Sequence, residues 1–471
     1  MPFPFALPTT SAYSFSSTYT STSHPSLPLT ASTHRAVVRD ALKKHKRLPP
    51  ASQSANVPSV ISSITSYLPY LLAIDAGLRD KSTAGLHVSP ASSTPPSIEW
   101  RPTLSDAPVR SVERPRVKLH DLAHEIAFVL VTLANCHVLL ARSALHALYV
   151  TSTATLNSQE RAAAVNTATR HLLNAVAVYE YAASRADRSR TPPCADIAPS
   201  TIRALADLAL AEATLLVVLK DDPYPAVVAQ DRNQFDNEWM YKAPDIPKVR
   251  TSLFIRLCLA AAEHAASAAG PLRDCDVGKV DVGIVRYADD LRRTSRAKAC
   301  RFSGIDSETT GEVGKAIAFL NGGLGELGIE VKEDKGRRGF GLGRIKKEWS
   351  EKREDRKVEK GAAWGVDGGR AEEGRVIEML SEKWNKINDT LNTQPIPPPG
   401  PLIAQMPTGR EIHTDRQPFK PPVLDRNALD SMRVPPDRSD DFGDAESSDE
   451  EERTVVGAYP EFGRSGSAGY Y

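Results

Sequence analysis

The chain has 471 residues, 41% hydrophobic and 25% charged, with 59 Lys and Arg against 58 Asp and Glu and a formal net charge of +1. Charges this evenly matched set up no global field, so composition favours neither nucleic acid nor an acidic lipid surface, and any such preference has to be local. The five cysteines, Cys136, Cys194, Cys258, Cys275 and Cys300, are odd in number and form no Cys-x-x-Cys pair, which argues against a disulfide framework or a zinc site.

Met1-Pro2-Phe3-Pro4-Phe5 lacks the basic start of a secretory leader. Charge or proline interrupts the apolar stretches before the roughly 20 residues of a membrane span, and a reducing, cytosolic compartment is expected. The first thirty residues are rich in Ser, Thr and Pro; His34 to Lys46 turns helical and ends at Leu48-Pro49-Pro50, because proline cannot continue a helix. From about Val57 a second helix is predicted, with Val60, Ile64, Tyr67, Leu68, Leu71 and Leu72 on one buried face. Ser82 to Pro96 reads as a loop, and Ile98-Glu99-Trp100-Arg101 alternates like a short strand, the one strand signal in the chain.

Alanine-rich amphipathic segments then dominate, at Leu119 to Tyr149, Gln159 to Ala183, Ser200 to Lys220 and Asp245 to Ala269. Alanine favours helix and lets helices approach closely, so stacked helical hairpins of a tetratricopeptide-like kind are predicted, without a fixed sequence repeat. Ser200 is positioned to cap one of these helices and Asp245, with Pro247, to start the next. From Gly322 to Gly343 glycine and charge replace alanine, and Val376 to Leu391 restores an amphipathic helix. Beyond Pro395 the chain reads as extended and proline-rich, and Asp437 to Glu452 is strongly acidic. The predicted layout is a folded unit over 1–425 and a disordered acidic tail over 426–471. Ser447 and Ser448 precede Asp449-Glu450-Glu451-Glu452 and resemble acid-directed phosphorylation sites, against the alternative of an unmodified solubilising tail.

No constellation for catalysis emerges. Gly323-Leu324-Gly325-Glu326-Leu327-Gly328 has the spacing of a dinucleotide loop but lacks a preceding buried strand, so it reads as a flexible surface connection. His120 and His124, one turn apart on a predicted helix, have no third metal ligand in sight, and Glu125 projects away from them. Cys136 and His137 are sequence neighbours and point in different directions on a helix, which does not make a nucleophile and base. Lys335 to Lys360 holds eleven Lys or Arg against five Asp or Glu. It reads either as a salt-bridged exposed helix or as a basic surface for RNA or anionic membrane. Tyr224-Pro225-Ala226-Val227 superficially matches a Tyr-Pro-x-Leu ligand peptide but reads as a structural turn after a buried helix.

The strand Ile98-Glu99-Trp100-Arg101 before a helix bearing His124-Glu125-Ile126-Ala127-Phe128, and Ala211-Glu212-Ala213 leading to Leu219-Lys220, resemble the Bro-domain family. Longer stretches resemble its branch in fungal ambient-pH signalling: Met1 to Thr10, Lys220-Asp221-Asp222-Pro223-Tyr224-Pro225-Ala226, Ala243 to Arg250, Tyr287 to Arg293, and Asn388-Asp389-Thr390 through Pro397. The resemblance covers roughly residues 1 to 425. It implies a mainly α, curved helical domain with a tetratricopeptide-like core and a small β element. It also implies a non-enzymatic adaptor without cofactor or metal. Such an adaptor binds the C-terminal helix of the polymerising, Snf-type ESCRT-III subunit and joins other pH-signalling components. It reaches plasma-membrane or endosomal ESCRT sites through its partners, without nucleic acid, and supports proteolytic activation of the transcription factor PacC. Matching the motifs places the partner patch at Val217, Val227 and Val228, with Thr169 from the preceding helix; the valines alternatively fill the core. Larger relatives continue into a second, Tyr-Pro-x-Leu-binding domain, and the resemblance implies that this chain lacks that second activity.

Overall fold

The computed structural model describes residues 2–79, 85–91, 93, 95–106, 113–149, 158–188, 191–224, 248–329 and 364–434. The chain divides into a compact unit, Met1–Arg433, and a second unit, Val434–Tyr471, of which Val434 alone lies among the described residues. The expected tail from residue 435 onward, with Ser447 and Ser448, therefore lies outside the described residues, as does Lys335 to Lys360.

The unit opens with strand β1 (Thr9–Thr10) and strand β2 (Tyr19–Thr20), then helix α1 (Leu27–Arg47) and helix α2 (Pro50–Leu78). Helix α2 starts earlier than the periodicity suggested, because Pro50 occupies its first turn, where a missing N–H costs nothing. Pro58 and Pro69 sit inside α2, so proline here interrupts the sequence signal without ending the helix. Strand β3 (Ser89–Pro90) pairs with β2, while strand β4 (Ile98–Arg101) lies between β1 and strand β5 (Val117–Leu119) in an antiparallel sheet. Ile98 and Trp100 turn inward, as the alternation predicted. The companion strands escaped the sequence reading because two or three residues carry too little period-2 pattern to register.

The helical array follows: α3 (Leu122–His146), α4 (Ser158–Ala186), α5 (Pro199–Asp221), α6 (Lys248–Arg273), α7 (Val282–Thr309) and α8 (Val313–Glu326). Each packs mainly on its sequence neighbour, which is the stacked-hairpin arrangement the alanine pattern called for. Ala198, with Pro199 in the first turn, starts α5 in place of the expected Ser200 cap. Asp245, the other expected start, lies outside the described residues. Two helices, α2 and α3, are long and apolar enough to cross a membrane by composition, which the reading of interrupted stretches missed. Helix α3 is largely buried inside the array and carries the buried Glu125.

Gly322, Gly323 and Gly325 belong to α8 and are not a flexible connection. A Cβ at Gly322 would meet Ile403 Cδ1 at 2.6 Å, and one at Gly323 would meet Ile377 Cδ1 at 3.0 Å. The glycines thus admit neighbouring side chains against the α8 backbone, and that packing outweighs their poor helix propensity. Only Gly328, at φ +66°, needs the left-handed conformation that ends the turn.

Helix α9 (Arg370–Ile387) runs into a π turn at Asn388–Asn392. Asn388 then exchanges two 3.0 Å hydrogen bonds with the backbone of Gln394, while the Gln394 side chain accepts from Gly314 N and donates to Gly311 O, fastening the bend between α7 and α8. After the short α10 (Pro399–Ala404), residues 405–425 form an extended ribbon. At Arg410 the ribbon's N–H bonds Arg256 O of α6 at 3.0 Å. Further along, Arg416 pairs with Glu180 of α4 at 3.1 Å, and Phe419 packs on Tyr181. Gly409 rests directly on α6, where a Cβ would come within 2.8 Å of Ala260 Cα. Helix α11 (Arg426–Asp430) lies beyond the expected border at residue 425, with Leu429 buried. Asp430 and Arg433 come close enough to act on the His24 imidazole, although burial is what chiefly holds it below its ordinary pKa.

Candidate functional site

Helices α4 and α5 run antiparallel. The Arg161 guanidinium at the start of α4 donates to Leu219 O and Asp222 O at the end of α5, and Arg203 near the start of α5 pairs with Asp187 just beyond α4. Thr169 and Val217 therefore lie toward the same end of this hairpin. Both are half-buried: Val217 packs partly against the core, and the Thr169 hydroxyl donates back to Val165 O at 2.9 Å. Val227 and Val228, the other expected patch residues, lie outside the described residues.

The ribbon meets this hairpin at Glu180 and Tyr181 of α4. Thr169 shares a helical stripe with Leu173 and Glu180, at spacings of four and eleven residues, and Glu180 is where Arg416 docks. On α5, Val217 is one turn from Ala213, whose backbone lies close enough to His413 of the ribbon to act on its imidazole, although burial chiefly holds that imidazole below its ordinary pKa. Leu173 of α4, Val217 of α5 and Leu253 of α6 are each half-buried against the core.

A buried ion network fixes the exit of α5. Arg301 of α7 donates through Nε to Glu373 of α9 at 2.6 Å and through Nη2 to Asp222 at 2.6 Å, while Lys298 Nζ reaches the second Glu373 oxygen at 2.6 Å. Burial alone would raise the Asp222 carboxyl, but the Arg301 guanidinium holds it below the usual range. Asp222 in turn accepts from Tyr224 N, and the buried Tyr224 ring faces Arg301 at 5.4 Å. Tyr224 is therefore buried, and the rest of Tyr224-Pro225-Ala226-Val227, expected as a turn, lies outside the described residues.

Two further buried carboxylates tie distant segments together. Glu125 accepts from Arg35 Nε of α1 at 2.9 Å, from the Tyr67 hydroxyl of α2 at 3.2 Å and from Trp100 Nε1 of β4. Glu212 accepts from Phe3 N at 3.2 Å and from the Tyr287 hydroxyl at 2.5 Å, and Phe3 packs on Tyr287. Beside it Arg142 of α3 holds Pro2 O and Trp364 O. Three stretches singled out in the sequence, near residues 3, 212 and 287, thus meet at one carboxylate. Sequence reasoning named those stretches without finding their shared point, and it missed Arg301, Glu373 and the ribbon.

Burial pushes the Glu212 carboxyl up to about 7, against the opposing pull of the Tyr287 hydroxyl, Phe3 N–H and Arg142. A folded pKa raised above the ordinary value means that the folded state favours the protonated acid. Its contribution is fully present below about pH 4.5 and is lost as pH rises through about 7. Denaturant titrations across that window are expected to lose about 3 kcal/mol in the native chain relative to Glu212→Gln. Parallel profiles for the two proteins would refute this assignment.

The other motifs do not assemble into chemistry. His120 precedes α3 and is exposed, donating through Nδ1 to Pro96 O, while His124 is buried, so they do not share the helical face proposed for them. Asp121 between them caps the helix through Ala123 N at 2.9 Å. All five cysteines are unpaired, and burial pushes the Cys194, Cys258 and Cys300 thiols up to about 12, far from a reactive thiolate. Among the described residues no three His, Cys, Asp or Glu side chains gather as a metal site.

No family model matches the sequence. The pH-response regulator protein palC of Emericella nidulans (strain FGSC A4) is 41% identical over 517 residues, an alignment spanning 100% of both chains. Among solved structures, ALIX in complex with the SIVmac239 PYKEVTEDL late domain aligns over 92% of this chain at a TM-score of 0.55 and 13% identity, and this chain spans 51% of that one. A complex of the ALIX BRO1 domain with CHMP4C aligns over 89% of this chain and 95% of that one, at a TM-score of 0.50 and 13% identity. The helical array with its small sheet is therefore a Bro1-type fold.

Proposed function

The chain belongs to the family of the pH-response regulator protein palC, and on that premise we propose that it is a non-enzymatic adaptor of ambient-pH signalling that binds an ESCRT-III subunit. The end-to-end identity with palC carries the signalling part of this reading. The partner part draws on the Bro1-type fold, whose ALIX example is described in complex with CHMP4C. In this reading the C-terminal helix of the Snf-type subunit lays its apolar side along the open part of the α4–α5 face, at Thr169 and Val217, and continues onto Val227 and Val228. An amphipathic helix suits half-buried valine and leucine, because each partner covers apolar surface the other leaves wet. Binding places the adaptor, a cytoplasmic protein, at plasma-membrane or endosomal ESCRT sites. There it helps assemble the complex that activates PacC by proteolysis.

Titration of the full chain with a peptide of that C-terminal helix tests the proposal. A desolvated carboxylate without a partner costs about 3 kcal/mol or more, so Val217→Asp is expected to weaken binding at least about a hundredfold while circular dichroism stays native. The same loss is expected of Val227→Asp and Val228→Asp. Native helicity with unchanged affinity in all three would remove the patch from this face, and a native chain that ignores the peptide would end the ESCRT-III reading.

A further inference from the structure

A cavity of about 650 Å³ opens at a different place, where the N-terminal residues 5–9, the last turn of α1, the end of β4, residues 113–114 and the first turn of α7 converge. Lys46, Arg101 and Arg114 line it. Lys43, Lys46 and Arg47 fall on one face of α1 at three- and four-residue spacing, so two more cations flank the lining lysine. Arg116 is near as well, since after burial it is Arg101 and Arg116 that hold the Lys46 ammonium below its ordinary pKa.

The lining cations are matched in number by lining carboxylates, and the positive excess comes from Lys43, Arg47 and Arg116 nearby. Three carboxylates, Asp106, Glu113 and Asp281, also line the cavity. Asp281 is committed: it accepts from Arg114 at 2.6 Å and caps α7 through Gly283 N at 2.8 Å. Glu113 alone bridges Lys46 and Arg101, and its side chain is 61% exposed, free to swing into solvent. Among the described residues Arg101 Nε, Arg114 Nε and Arg116 Nη1 are buried and meet no hydrogen-bond acceptor. Val282 and Gly283, in the first turn of the 28-residue α7, form part of the wall, so the positive end of that helix faces the same space. Val282 is 60% exposed at the rim.

We propose that this cavity binds a phosphate-bearing anion of the inositol phosphate class, which displaces Glu113 from Lys46 and Arg101. The proposal is independent of the ESCRT-III patch and gives the chain its own contact with an anionic headgroup, in place of membrane association through partners alone. A phosphate with two negative charges answers several converging cations better than one mobile carboxylate does, and Lys and Arg are the residues that hold phosphate. The exposed Val282 beside the opening suits a headgroup presented by a bilayer.

Flotation of the full chain with phosphatidylcholine vesicles, with and without phosphatidylinositol bisphosphate, tests the site, alongside calorimetric titration with soluble inositol trisphosphate. Removing one cation near an anionic surface lowers binding about fivefold, so Lys46→Ala and Arg114→Ala are each expected to show that loss, and added salt is expected to weaken binding steeply. Glu113→Gln is expected to strengthen binding by about the same factor, a gain that a merely destabilised protein would not show. Lys386→Ala on α9, where an exposed lysine pairs with Glu382, serves as the control and leaves binding unchanged. Binding to vesicles and to soluble headgroup identifies a membrane source; binding to soluble headgroup alone keeps the site and assigns it a free inositol phosphate. A native chain that binds neither overturns the proposal, as does binding that responds equally to Lys386→Ala and Lys46→Ala or falls with Glu113→Gln.

Discussion

Replacing Arg301 by methionine is expected to destabilise the folded unit by about 3–5 kcal/mol, the usual cost of removing one partner from a buried ion pair. The side chains of Arg301, Asp222 and Glu373 are 0%, 1% and 0% exposed, so neither carboxylate can recover its lost partner from water. Lys298 still reaches Glu373, which leaves Asp222 as the orphaned charge. Urea unfolding is the measurement: the midpoint is expected to fall while its slope stays constant, because the surface exposed on unfolding is unchanged. A loss under about 1 kcal/mol would mean that the network is wetter than its geometry indicates. The change also frees the end of α5, so weaker binding at Val217 without any alteration of the patch itself is expected to accompany it.

The second large effect is expected at Glu125. Glu125→Leu strips the acceptor from Arg35, Tyr67 and Trp100 together, and Arg35, 1% exposed, is left as a buried cation. The single change is expected to cost about 3–5 kcal/mol by the same reasoning. Arg35→Met added to Glu125→Leu is expected to recover much of that loss, because an apolar pair of similar bulk carries no desolvation penalty. A double-mutant cycle on thermal unfolding separates the cases: strictly additive losses would show that Arg35 and Glu125 act independently, contrary to their 2.9 Å contact.

These networks also show what local patterns can and cannot reveal. The helices of the array were legible because alanine and leucine at three- and four-residue spacing are a property of each segment alone. The strand at Ile98–Arg101 was legible for the same reason, with its alternation intact over four residues. Arg301 is separated from Glu373 by 72 residues and from Asp222 by 79, and no periodicity announces a pairing at such range. Glycine in α8 misled because its propensity is a local penalty, whereas the fit of Ile377 and Ile403 against it is a tertiary gain. For the candidate site, Thr169 and Val217 came from matching motifs, and the structure adds that both lie toward one end of an antiparallel pair. The ribbon beside them was readable only as extended and proline-rich. Its docking depends on Gly409 and Arg416 meeting α6 and α4, which no stretch of sequence records.

The separation between the ribbon and its seat bears on how the chain is assembled. Arg416 meets Glu180 across 236 residues, and Phe3 meets Glu212 across 209. During synthesis the helices from α4 to α6 are complete well before the ribbon exists, while residues 2–5 wait for α5 and α7 to emerge. Both pieces close onto a stack that local contacts have already built, and closing loops of this size adds little entropy beyond that of loops half as long. Until translation passes the ribbon, the parts of α4 and α6 that it covers, at Glu180, Tyr181, Arg256 and Ala260, stay open to solvent.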